Sequence, residues 1–241
     1  THTSIEQLFK TLKDENTQLG TQFSWYFVQI LKYKDSMTFS NGYSDVLTLD
    51  MIEELRVHDF VEQQLFVSCF LNNDRVAEQQ ISNIITRNIS KFQNDSGVIS
   101  KLEFPKSLIF SASAFLDKCN GNYLSALDNL LNAGSYKDAQ KDMMLCVGPK
   151  LILKYNVGND IEVIETLKRF LEKFPKEQIE DWGNTLKVYE DFADVILKNS
   201  KNDHKLVNIK NSLKQLMKYN THKLVPACCN IMEKKLKSIQ I

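Results

Sequence analysis

Glycine and proline are scarce in this chain, with 8 and 4 in 241 residues; together they make up about 5%, where average usage gives about 12%. β-Sandwiches, barrels and doubly wound sheets turn roughly every ten residues, and they turn mostly on Gly, Pro, Asn and Asp. Eight glycines are too few for such a fold, which leaves long helices joined by short polar connections. Hydrophobic residues make up 43% of the chain and the formal net charge is zero. That combination excludes intrinsic disorder. The length allows one or two domains with a sizeable core.

Periodicity then places the helices. Thr3-Ser4-Ile5-Glu6 reads as a capping box, and Ile5, Leu8, Phe9 and Leu12 follow it at the helical period. Residues 21–32 are apolar on most sides (Phe23, Trp25, Tyr26, Phe27, Val28, Ile30, Leu31), the pattern of a helix buried between neighbours. The polar stretch 34–43 is the expected boundary between an N-terminal helical element, residues 1–34, and a main body, residues 45–241. Within the body, helices are expected over 46–57, from a cap at Asp59 to 71, and over 74–91, 105–119, 122–133 and 135–147. Further helices are expected from a cap at Asn159 to 173 and over 184–199, 203–219 and 226–239. Gly134 is expected as a left-handed cap, Gly148-Pro149 as a break, and Pro175, Trp182 and Gly183 as a corner. Tyr123-x-x-Ala126 and Tyr136-x-x-Ala139 echo one another on the two arms of one hairpin. A small Ala beside a Tyr lets helices approach closely, as in stacked arrays, although the echo lacks the 34-residue period of tetratricopeptide repeats. No stretch alternates as a strand would. The expected fold class is all-α, an irregular α-helical solenoid of about a dozen antiparallel helices, with a compact helical bundle as the alternative.

Reactive chemistry is hard to find. His2, His58, His204 and His222 form no i, i+4 pair. The nearest soft cluster, His222 with Cys228 and Cys229, has two adjacent cysteines that point about 100° apart on a helix, so no metal site is expected. Gly148-Pro149-Lys150 lacks both the upstream glycine and the following hydroxyl of a phosphate loop, and Gly-x-Ser-x-Gly is absent. The carboxylates Glu177, Glu180 and Asp181, and Glu190, Asp191 and Asp194, alternate with lysines and read as solvated faces rather than catalytic pairs. No catalytic residue, metal or cofactor is expected, and the chain reads as a non-enzyme.

Five cysteines (Cys69, Cys119, Cys146, Cys228, Cys229), an odd number without Cys-x-x-Cys spacing, suggest a reducing compartment and thiols acting as small core residues. The longest apolar run, residues 65–71 and including Ser68, is far short of a membrane span. No signal or transit pattern is present. The first residue is Thr1, and the chain is expected to be a piece of something larger. Charge is unevenly distributed: residues 198–241 carry ten lysines against Asp203 and Glu233. On the helix expected over 203–219, Leu206, Ile209, Leu213 and Leu216 form a buried stripe. Lys210, Lys214 and Lys218 form a ridge beside it, suited to a solvated face or an acidic protein partner. The near-absence of arginines and interleaved aromatics argues against nucleic acid.

Several runs in order carry a resemblance. Leu47-Thr48-Leu49 opens one helix, and Gln64-Leu65-Phe66-Val67 ends a hairpin. Pro105 starts a helix leading to Ala126-Leu127-x-x-Leu130-Leu131-x-Ala133-Gly134-x-Tyr136-x-x-Ala139. Then come Phe170-Leu171-Glu172, a proline, Ile179-Glu180-Asp181-Trp182 and Val188-Tyr189-Glu190-Asp191-Phe192. Over residues 45–200 this order resembles the C-terminal helical domain of the scaffold nucleoporins called nucleoporin 96 in vertebrates and nucleoporin 145C in yeasts. No Phe-Gly dipeptide occurs. The resemblance implies a structural subunit of the Y-shaped coat complex of the nuclear pore. It implies docking to other helical scaffold nucleoporins, the short-arm subunits at the hub, at the nuclear envelope and without a transmembrane segment. An adaptor solenoid of vesicle-coat type, binding peptides or proteins transiently, is the alternative. Trp182, Tyr189, Phe192, Lys210, Lys214 and Lys218 are the expected partner-binding residues, because apolar and cationic side chains concentrate there.

Overall fold

A computed structural model describes residues 18–34, 40–94, 97, 101–198, 203–219 and 223–240. The expected capping box at 3–6 and the short helix after it lie outside these residues, as do His2, His222 and the side chains of His204 and Leu206. Among the described residues all regular structure is helical and none is strand. The fold is all-α and solenoid-like, and within each compact unit most helices pack on a neighbour in chain order. The chain divides into two compact units, Thr1–Ala112 and Ser113–Ile241.

In the first unit, α1 (Gln18–Tyr33) packs on α2 (Asn41–Val57). Ser40 caps α2 by accepting the Tyr43 N–H at 3.4 Å, so Gly42 and Tyr43, expected in a linker, are already helical. The inner face of α1 buries Ser24, Trp25 and Val28. Trp25 Nε1 donates to Thr48 Oγ1 (3.1 Å), which donates to Ser44 O (2.9 Å). Lys32 Nζ donates to Ser44 Oγ (3.1 Å) and Asn72 Oδ1 (3.2 Å). These bonds fix the register of α1 on α2, and the Trp25 ring closes the joint edge-on against Phe70, 5.2 Å away.

Asp59, at φ 58°, turns the chain in the left-handed region. It does not cap α3 (Val61–Ser68), which starts after Phe60 with no side-chain cap and ends short of Leu71. The Asp59 carboxylate accepts from Lys91 Nζ instead (2.7 Å). Asn73 caps α4 (Asp74–Arg87) by accepting the Val76 N–H at 3.2 Å. The helix expected to reach residue 91 is cut at Asn88. There the side-chain amide donates to Ile84 O (2.9 Å) and competes for the helix's own acceptor. A short α5 (Ile89–Asn94) follows. Leu47, Met51, Leu55, Leu65, Ile84 and Ile85 form the core of this unit.

α6 (Lys106–Cys119) contains the division between the units and leads to α7 (Tyr123–Asn132). Gly134, at φ 74°, closes α7, and α8 (Tyr136–Asp142) returns against it. Ala126 and Ala139 are both fully buried, so the two arms of the echo meet as their small residues allow.

The expected break at Gly148-Pro149 does not occur. Residues Met143–Val147 form a π-turn that runs directly into α9 (Gly148–Gly158). The Gly148 N–H bonds Met143 O, five residues back. In that register the N–H of residue 149 would bond Met144 O, and Pro149 has none. The Tyr189 hydroxyl supplies the missing donor, at 2.9 Å from Met144 O. Gly148 makes the approach possible: a Cβ there would lie 2.8 Å from Met143 O and 3.0 Å from the Tyr189 ring.

Asn159, left-handed at φ 50°, ends α9. The cap of α10 (Ile161–Glu172) is Asp160, not Asn159: its Oδ1 accepts the Glu162 N–H at 3.0 Å. Ile161, expected on the buried stripe, is exposed. Next come α11 (Lys187–Lys198), α12 (Asp203–Leu216) and α13 (Leu224–Gln240), each packed on the one before, and α13 returns to α9. One continuous core joins them through Met143, Ile152, Leu167, Tyr189, Phe192 and Met232. Of the cysteines expected in the core, Cys228 and Cys229 are buried there. Burial raises both thiols, Cys229 to about 11. Cys69 and Cys119, at the ends of α3 and α6, are exposed instead.

Tyr189→Phe is expected to lower the unfolding free energy by about 1–3 kcal/mol, the cost of a buried carbonyl left without its donor. Gly148→Ala is expected to cost about 1–3 kcal/mol through overpacking. Urea denaturation of each variant checks both.

Candidate docking surfaces

On α12, Ile209, Leu213 and Leu216 are buried against the core. Lys214 projects into solvent beside them and Lys210 is half-buried, while the helix expected to 219 ends at Leu216 and the exposed Lys218 lies in the 3₁₀ turn Met217–Tyr219 that follows. The neighbouring basic helix α13 is partly engaged already: Lys237 pairs with Glu233 at 3.0 Å, and Lys235 Nζ reaches Asn159 Oδ1 and lies 5.2 Å from the Tyr155 ring.

The corner between α10 and α11 is built from two short 3₁₀ turns, Lys176–Gln178 and Trp182–Asn184, with Asp181 left-handed at φ 57° between them. Thr185 Oγ1 donates to Asp181 O (2.8 Å) and accepts from Gln140 Nε2 (3.0 Å), whose amide also donates to Glu180 O (2.7 Å). This network ties the corner to α8 beside a polar groove of about 390 Å³ lined by Lys141, Met144, Glu180 and Asp181. Trp182 is half-buried, 6.0 Å from the Phe174 ring, with Lys176 Nζ 5.5 Å from its own ring.

The carboxylates expected as a solvated face on α11 are paired. Lys187 Nζ lies 2.9 Å from Asp191 and 3.1 Å from Glu190, Lys176 reaches Glu190, and Lys168 on α10 reaches Asp194 at 2.8 Å. Burial alone would raise the Glu190 carboxyl, but hydrogen bonds from Lys176 and Lys187 outweigh it and hold the pKa below its usual 4.5. Tyr189 and Phe192 are 0% exposed in the unit's own core. A docking partner does not reach them. Trp182 and the three lysines remain at the surface.

The sequence placed another set of residues inside that the structure leaves outside. Phe23 and Tyr26 are each 56% exposed and Ile30 52%, and Tyr33, just past the helix expected over 21–32, is 91% exposed. They follow one another at intervals of three, four and three residues on the side of α1 opposite Trp25 and Val28. Phe27 flanks them, its ring 5.7 Å from that of Phe23 and nearly parallel. A helix apolar all round was read as covered all round. The distinguishing signal was the row Ser24, Val28, Lys32, whose small and polar members suit the joint with α2 and leave the larger rings on the far side.

A third surface is a groove of about 480 Å³ between the start of α7 and α9, lined by Tyr123, Leu124, Val147 and Leu151. Lys150 Nζ sits 3.4 Å over the Tyr123 ring there. Among the described residues no group of three His, Cys, Asp or Glu side chains could hold a metal ion. What these surfaces offer is burial and ion pairing.

The family model described as "Nuclear protein 96" matches residues 1–116, nearly the span of the first compact unit. Nucleoporin NUP145 of Saccharomyces cerevisiae is 31% identical over 238 residues, 98% of this chain and 18% of that protein. Nucleoporin nup189 of Schizosaccharomyces pombe is 27% identical over 158 residues, 64% of this chain and 8% of that protein. The chain thus spans less than a fifth of the length of either relative.

Phe192→Ala is expected to cost about 3–5 kcal/mol as a core truncation, whereas Lys214→Glu with Lys218→Glu stays within about 0.5 kcal/mol; chemical denaturation separates them. The lowered Glu190 pKa adds stability that is present above pH 4.5 and lost as pH falls through the folded-state value. Glu190→Gln is therefore expected to flatten the acid limb of a stability–pH curve, measured by thermal melts between about pH 3 and 7.

Proposed function

The chain belongs to the nucleoporins of the nuclear protein 96 type, and from that membership we propose that it is a structural scaffold module of the Y-shaped coat complex of the nuclear pore. It works by docking helix against helix with other scaffold nucleoporins, the short-arm subunits that meet at the hub. In that way it supports nucleocytoplasmic transport of mRNA and protein from the nuclear pore complex at the nuclear envelope. The role requires no reaction and no cofactor; burying surface against a permanent partner is the work.

One observation carries this reading. Large apolar side chains stay in solvent along an otherwise well-packed helical chain: Phe23, Tyr26 and Ile30 on α1, Val57 and Phe60 at the α2–α3 turn, Phe66 on α3, Phe115 on α6 and Val157 on α9. Exposed apolar surface grouped on helix flanks marks sites of protein association. Among the described residues no helix is long and apolar enough to cross a membrane, which fits a subunit held at the envelope by its protein partners.

Removing the C-terminal helices is a poor test of docking, because Ile209, Leu213, Val225, Cys228 and Met232 belong to the core of the second unit. The intact chain is instead mixed with purified short-arm subunits and run on size exclusion at about 0.1 and 0.5 M NaCl. Co-elution at both salts is the expected result. Separate elution at both rejects the reading, and weak binding lost at the higher salt favours a transient adaptor.

A further inference from the structure

We infer that the groove between the start of α7 and α9 seats a short acidic segment of a neighbouring scaffold subunit. That segment puts an apolar side chain on the groove floor and two carboxylates on Lys150 and Lys154. The inference rests on the proposed scaffold role and specifies one of its contacts.

The floor sets half of that chemistry. Tyr123, Leu124, Val147 and Leu151 line a groove of about 480 Å³, a volume within the range of formed binding clefts. Leu124 stays 40% exposed at its edge, and Val157, nearly one turn beyond Lys154 on α9, is 88% exposed. An apolar group that enters here leaves water and meets carbon on the walls, which is a favourable transfer.

The rim sets the other half. Lys150 and Lys154 are exposed and stand four residues apart on α9, so they are neighbours with about 5–6 Å between their Cβ atoms. None of the described residues that line the groove is acidic. Elsewhere in this unit lysines find carboxylates, Lys118 on Asp142 and Lys173 on Asp128 among them, whereas Lys150 and Lys154 are in no ion pair with a described residue. The Tyr123 ring holds Lys150 Nζ 3.4 Å from its centroid, which orients the ammonium and leaves its charge uncancelled. Two carboxylates three or four residues apart on a helix match that spacing. Nucleic acid fits poorly. It has no apolar group for the floor, Lys150 already covers the one aromatic ring that lines the groove, and no arginine lines it.

The undescribed stretches of this chain do not carry such a segment. Every residue from 101 to 198 is described, so none of those stretches adjoins the groove walls along the chain. Residues 1–19 hold Glu6, Asp14 and Glu15, residues 35–39 hold Asp35, and residues 93–100 hold Asp95. Residues 199–206 hold Asp203, and residues 219–222 hold no acid. In none of them do two carboxylates stand three or four residues apart. The matching pair therefore comes from another polypeptide, and two free cations above a preformed groove also steer its approach.

The test uses the full chain as wild type, Lys154→Glu, Lys150→Glu/Lys154→Glu and Leu124→Ser, with circular dichroism melts as the folding check. Affinity for the purified short-arm subunits is measured by calorimetry at about 0.1 and 0.5 M NaCl. Lys150→Glu/Lys154→Glu is expected to weaken binding about tenfold at the lower salt and less than about threefold at the higher, because salt screens a charge contact. Lys154→Glu, which leaves Tyr123 its cation, is expected to weaken it about threefold at the lower salt with an unchanged melt. Leu124→Ser is expected to weaken it about fivefold at both salts, as the loss of an apolar contact. Binding by all three variants within about twofold of a wild type that does bind overturns the inference and leaves the scaffold role standing. Failure of the wild type to bind rejects the scaffold role and the inference with it. A gain in affinity on deleting residues 1–17 that Lys154→Glu cancels shows the groove filled by this chain and overturns the assignment. So does full-length protein whose binding Lys154→Glu leaves unchanged, since the groove is then filled from within. Retention of single-stranded RNA by the wild type that Lys150→Glu/Lys154→Glu loses makes the occupant nucleic acid and overturns it as well.

Discussion

The hydroxyl of Tyr189 on the carbonyl of Met144 holds the second unit in its arrangement. The bond joins α11 to the π-turn, and both sides of it are specified by the chain. Pro149 withholds the donor that the π register requires, and Gly148 clears the space through which the Tyr189 ring enters. Around that bond α9 meets α10 and α13, and the core from Met143 to Met232 closes over it. The Tyr189 hydroxyl is fully buried, and its ionisation is pushed well above the usual tyrosine value, first by burial. It therefore stays a donor at any pH the folded chain experiences.

Polar groups play the corresponding part in the first unit and at the corner. Trp25 is set on α2 by Thr48, and Thr48 is set by Ser44, so a single indole fixes α1 in angle and register. At the corner, Gln140 holds the backbone of Glu180 and the hydroxyl of Thr185 while Lys176 and Lys187 converge on Glu190. Apolar burial supplies the driving force in both units, and these few directional contacts select one packing among several that burial alone would allow.

Features that depend on local chemistry were legible in the sequence. Gly134 as a left-handed cap, the paired alanines 126 and 139, and the corner at Trp182 each follow from what a residue can do with its own backbone. Features that depend on a distant partner were not. Gly148-Pro149 reads as a stop in any local scheme, and only Tyr189, forty residues on, makes a continuous helix possible. Tyr189 and Phe192 read as contact residues because apolar and cationic side chains concentrate there, yet the same apolar area fills the chain's own core. Glu190 and Asp191 read as solvated because carboxylates and lysines alternating along a chain suit a polar face equally well, and only the fold brings Lys176 and Lys187 onto them. For α1 the residues were identified and their side was not, since helical periodicity reports that a face is apolar and says nothing of what lies against it.

The π-turn at Met143–Val147 has a consequence for how this chain tolerates insertion and deletion. A π-turn is an α-helix carrying one surplus residue, so losing any single residue between 143 and 147 would restore regular winding. Winding all of these residues as regular α-helix, with none lost, would by contrast rotate everything beyond by about 100° about the axis relative to α8. Leu151, Ile152 and Tyr155, which line the core, would swing off it, and Lys150 and Lys154 would be carried toward it. The surplus residue thus acts as a phase adjuster, matching two stretches of helix whose apolar sides are written out of step in the sequence.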